Sequence, residues 1–103
     1  MLLSVFDRLL LLNILPKHGD LTTIKLVHKL REDLSFSEEE HAALKFEQEE
    51  KQMRWSAEAD VPKEVEIGPK THGIICAIFV ELDKQKQLTE EHLSLHERFV
   101  GAT

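Results

Sequence analysis

Tyrosine is absent from this 103-residue chain, cysteine and tryptophan occur once each, and there are four glycines and three prolines. Each scarcity excludes something. A lone Cys76 cannot close an internal disulfide, so the fold must rest on its core, and a reducing compartment is the natural home. Cys76 lies in the apolar run IICAIFV and reads as a small buried hydrophobe rather than a reactive thiol. The few glycines form no G-x-G-x-x-G and no phosphate-cradling P-loop, and G-x-S-x-G and C-x-x-C are missing too. Carboxylates are plentiful, but none joins a Ser-His or Cys-His set legible in sequence. The expectation is a non-enzymatic protein with no cofactor and no metal.

Long hydrophobic runs are also lacking. The stretch MLLSVFDRLLLLNILP is too short to span a bilayer, and Asp7 and Arg8 interrupt it. It has no basic leading region and no small-residue cleavage site, so it does not read as a signal peptide. Nor has it the basic polar face of a membrane-surface helix. These points lead to a cytoplasmic expectation, with no membrane partner.

What is present is a soluble globular mixture, 42% hydrophobic and 31% charged, in one domain over residues 1–103. The formal charge of −6 is uneven: residues 1–35 carry +1, residues 36–70 carry −5 and residues 71–103 carry −2. Leu2 to Leu15 reads as a helix apolar nearly all round, ended by Pro16 and Gly19. Asp20 or Thr22 can cap a second helix near 22–34, whose apolar face is Ile24, Val27, Leu30 and Leu34. Ser37 and Glu40 form an S-x-x-E capping box for a third helix. The acidic triplet Glu38–Glu39–Glu40 then has a local reason, because carboxylates favour a helix start.

The run EQEEKQ after Phe46 reads as an exposed helix end or a solvated connection. Met53-Arg54-Trp55 and Val65-Glu66-Ile67 alternate apolar and polar residues, the pattern of a small β-hairpin around residues 53–67 with Pro62 in its connection. Periodicity leaves 71–83 open between helix and strand. One further pattern favours helix. FSEEEHAALKF (36–46) and LTEEHLSLHERF (88–99) are two versions of one phrase, each following an apolar-faced segment. Thr89 caps the last helix, but His92 stands where a capping box has glutamate. The fold expectation is mainly α: a compact bundle of about five helices, with one small hairpin.

His92 and His96 are four apart, a metal-ligand spacing, but HLSLH lacks the glutamate of H-E-x-x-H, and His41 is the nearest completion. Surface histidines are the default reading. Three helices followed by a hairpin is the order of a winged helix, with Lys17, Lys25, Lys29 and Arg31 as the phosphate-facing set. The acidic third helix opposes this, since glutamates repel phosphates. A protein-interaction role fits better. Ten apolar residues between 2 and 15 exceed what a monomer of this size readily buries. Phe6, Leu9 and Leu12 are therefore the candidate interface, for self-association or a second protein. Glu38, Glu39, Glu47 and Glu50 are the candidate surface for a basic partner.

Taken together, DRLLLLNILP, KLVHKLREDLSFSEEEHAALKF and LTEEHLSLHERF resemble small proteins of unassigned function encoded in bacteriophages and prophages. The resemblance implies a bacterial cytoplasm and an accessory role for phage or host. It carries no activity and no catalytic residue.

Overall fold

The computed structural model describes residues 1–49 and 52–101. Caps mark where the helices start. The first helix, α1 (Val5–Ile14), starts at Ser4, not at Leu2. Ser4 Oγ accepts from Asp7 N–H and Asp7 Oδ2 accepts from Ser4 N–H, a capping box that the apolar lead-in conceals. Leu2 and Leu3 stay extended as β1 (Leu2–Leu3). Asp20 caps α2 (Leu21–Leu34), its Oδ1 accepting from Thr23 N–H at 2.7 Å. Ser37 caps α3 (Glu38–Leu44) with the reciprocal Glu40 contact in place.

The polar segment after Phe46 forms the hairpin. Strands β2 (Glu47–Glu49) and β3 (Gln52–Arg54) pair antiparallel, with Glu47 opposite Arg54 and Gln48 opposite Met53. The hairpin expected between 53–55 and 65–67 is therefore displaced. Residues 65–67 form no strand; just before them β4 (Lys63–Glu64) pairs with β1, Leu2 facing Glu64 and Leu3 facing Lys63. A run with polar residues on both faces has no alternation to reveal it, and a partner some sixty residues away leaves no local mark.

Residues 69–84 are helical, as the repeated phrase suggests, forming α4 (Pro69–Lys84) with Gly68 at its cap and Pro69 at its first position. A 3₁₀ turn over Glu90–His92 leads into α5 (Leu93–Phe99). The expected gap in the Thr89 box is filled by His92, whose Nδ1 accepts from Thr89 N–H at 3.0 Å.

The core lies where α1, α2, α4 and α5 meet. Leu11, Leu34, Ile75, Phe79, Leu95 and Phe99 have essentially no exposure. Among the described residues the molecule is mainly α, with five α-helices and two small two-stranded sheets. No helix among the described residues is long and apolar enough to cross a membrane.

Candidate functional site: a groove between α1 and the hairpin

Helix α1 has two apolar sides. Val5, Leu10 and Leu11 face the interior, while Phe6, Leu9 and Leu12 remain open or half-open. These three share one groove of about 600 Å3 with Asn13, Gln48, Met53, Trp55 and Glu91. The hairpin builds the opposite wall. Gln48 and Met53 are cross-strand neighbours and so share one face, and Trp55 continues it two residues on. Glu47 and Arg54 fall on the other face by the same alternation.

Trp55 is fixed in that wall. Its indole stacks on Phe6 with ring centroids 6.2 Å apart and planes 24° from parallel. Its Nε1 donates to Asp60 Oδ2 at 3.2 Å, and Asp60 Oδ1 accepts from Val5 N–H at 3.1 Å. Asp60 thus satisfies an orphan donor at the start of α1, near the positive end of the helix dipole, while holding the indole. Rings continue away from the groove: Phe46 stands 6.2 Å from Trp55 and Phe36 5.0 Å from Phe46.

That train ends on Arg8, the residue whose burial sequence reasoning missed. Its guanidinium has no exposure and sits 3.9 Å over the Phe36 ring. Nε donates to Leu34 O at 3.1 Å and Nη2 to Ser35 O at 2.6 Å, while Nη1 donates to Glu40 Oε2 at 2.6 Å. Every guanidinium nitrogen has a partner, as a buried charge requires. Arg8 also holds the Glu40 carboxyl well below the ordinary range, at about 2, mainly through hydrogen bonding, with help from Ser37 N–H. The only sequence signal was an arginine inside an apolar helix. Asp20 is likewise lowered, by the backbone N–H of Thr23 and then its side chain.

The candidate residues separate accordingly. Phe6, Leu9 and Leu12 come together. Glu38 and Glu39 lie exposed at the start of α3, and Glu47 lies exposed on β2 away from the groove. Glu50 is outside the described residues. The groove's own carboxylate, among the described residues, is Glu91.

Other chemistries are weakly placed. His92 and His96 both set their rings against Phe79, with centroids 6.3 and 5.8 Å away. His41 packs instead on Phe36 and Phe46. Among the described residues no three His, Cys, Asp or Glu side chains gather as a metal site. Cys76 is half-buried, its thiol donating to Phe99 O at 3.3 Å and lying 3.6 Å from His72 Nδ1. The chain does run three helices and then a hairpin, but α3 opens with exposed Glu38 and Glu39. Of the phosphate-facing set, Arg31 donates to Pro16 O at 3.2 Å, while Lys17, Lys25 and Lys29 are exposed.

In comparisons with known proteins, no family model, curated sequence or solved structure matches the chain.

Proposed function

We propose that this protein is a non-enzymatic, acidic, helical protein-interaction module. It holds a protein, either a second copy or a different chain, in the groove between α1 and the hairpin. One observation carries the reading: Phe6, Leu9 and Leu12, the apolar surplus of the first helix, line a single open groove with Met53 and Trp55. Aromatic and methionine side chains are enriched where proteins meet, and an aromatic already held in place loses little entropy on contact. The Asp60 clamp supplies that preorganisation for Trp55. The resemblance to phage and prophage proteins suggests the setting, a bacterial cytoplasm in which the partner belongs to phage or host.

The test compares wild type with Leu12→Glu, a half-exposed position at the groove wall. Both should give the same helical circular dichroism. Only wild type should carry a bound protein, or its own second copy, through size exclusion from the producing cell. Identical elution of the two folded proteins would refute the reading.

A winged-helix DNA-binding regulator is the second reading. The helix and hairpin order favours it, and the exposed glutamates of α3 oppose it. It requires salt-sensitive duplex binding that weakens when Lys25, Lys29 or Arg31 is neutralised.

A further inference from the structure

A second open face lies on α4. Its inner side is anchored by Ile75 and Phe79, both without exposure. Its outer side carries Lys70, Ile74, Ala77 and Glu81, at spacings of four, three and four. That is the seam spacing of paired helices. Lys70, Ala77 and Glu81 are exposed and Ile74 is half-open. Beside this seam runs an apolar groove of about 480 Å3, walled by Ile14, Ile74, Ala77, Ile78 and Leu82.

The charges on the seam say what covers it. Read along the helix, the order is basic, large apolar, small apolar, acidic. Run against itself, this order is self-complementary. A two-fold axis between residues 75 and 76 places Lys70 opposite Glu81 of the second copy, and Ile74 opposite its Ala77. Both matches recur on the other side of the axis, as an isologous contact demands. A parallel pairing would instead set lysine on lysine and glutamate on glutamate. Ala77 is small enough to let the two helices approach closely and to leave room for the facing Ile74.

We infer that α4 is a self-association face, and that two copies of this chain pair antiparallel along Lys70, Ile74, Ala77 and Glu81. The contact shares no lining residue with the α1 groove and does not depend on it. One helix of 16 residues, about 24 Å long, is a narrow contact by the standard of stable complexes, so the dimer is transient and concentration-dependent.

The test is sedimentation equilibrium of the full chain over a concentration series reaching millimolar. Five proteins are compared: wild type, Lys70→Glu, Glu81→Lys, the double swap and Ala77→Arg. The swaps do not threaten folding. Each position is exposed, a glutamate in the first turn of α4 suits the helix dipole, and so does a lysine in the last. Wild type should rise from 11.9 kDa toward twice that mass. Each single swap should weaken association at least ~10-fold, because it sets like charges face to face twice per dimer. The double swap should restore it. Ala77→Arg should stay monomeric. The inference is overturned if wild type is monomeric throughout, if the single swaps associate like wild type, or if the double swap fails to recover.

Discussion

Replacing Glu40 by glutamine keeps the side chain's shape and removes its charge. Arg8 donates to both carboxylate oxygens and Ser37 N–H to one, which brings the Glu40 pKa from an ordinary 4.5 to about 2. A carboxylate with a depressed folded pKa gives stability that is fully present above its unfolded pKa and is lost as pH falls through the folded one. The window here runs from roughly pH 5 down to roughly pH 2. At ~1.4 kcal/mol per pH unit, the gap between 4.5 and about 2 corresponds to roughly 3 kcal/mol at neutral pH. The Glu40 side chain is 32% exposed, so water screens part of this, and Glu40→Gln should cost about 2 kcal/mol. Urea unfolding of both proteins at several pH values measures it. The two stability curves should lie about 2 kcal/mol apart at neutral pH and converge toward roughly pH 2, where wild-type Glu40 also loses its charge. A separation that does not change with pH, or none at neutral pH, would refute the argument.

Phe79→Ala should cost about 3–5 kcal/mol in the same assay, because the ring is fully buried against Phe99 and two histidines. Lys45→Gly should stabilise by about 0.5–1 kcal/mol, since Lys45 ends α3 in the left-handed region at φ 51°. A loss there would show that the lysine stem contributes packing that outweighs the strain. Asp60→Ala should cost about 2–3 kcal/mol by orphaning the Val5 N–H and the Trp55 indole, and should shift tryptophan emission to the red. An unshifted spectrum would mean that the indole is held by stacking alone. Anisotropy titration against random duplex DNA should show no binding even at low salt. Steep salt-dependent binding would instead favour the DNA-binding reading.

Much of the helical frame is written in local signals. Ser37 with Glu40 marks the start of α3, Asp20 that of α2, and Gly68-Pro69 that of α4. The parallel between the two acidic phrases favours helix for 71–83, where periodicity alone leaves helix and strand open, and the segment is helical. What stayed hidden is what depends on distant partners. Leu2 and Leu3 leave the helical pattern because Lys63 and Glu64 offer them a strand. Glu47–Glu49 forms a strand with no apolar face, so no period betrays it. Arg8 looks like an interruption in an apolar helix until Leu34, Ser35, Phe36 and Glu40 close around it. The groove was half legible. Phe6, Leu9 and Leu12 stand out as surplus apolar surface, whereas the wall of Met53 and Trp55 depends on where the hairpin lies. The acidic set did not converge on that groove, because Glu38 and Glu39 serve the start of α3 and Glu47 faces away.

The most direct test of the groove as a contact face is site-specific photo-crosslinking in the producing cell. A photoreactive residue would replace Leu12 in the groove in one strain and Lys29, exposed on α2, in another. A discrete adduct of fixed mass is expected from position 12 and none from position 29. An adduct from position 29 alone, or the same pattern from both, would contradict the groove as a contact face.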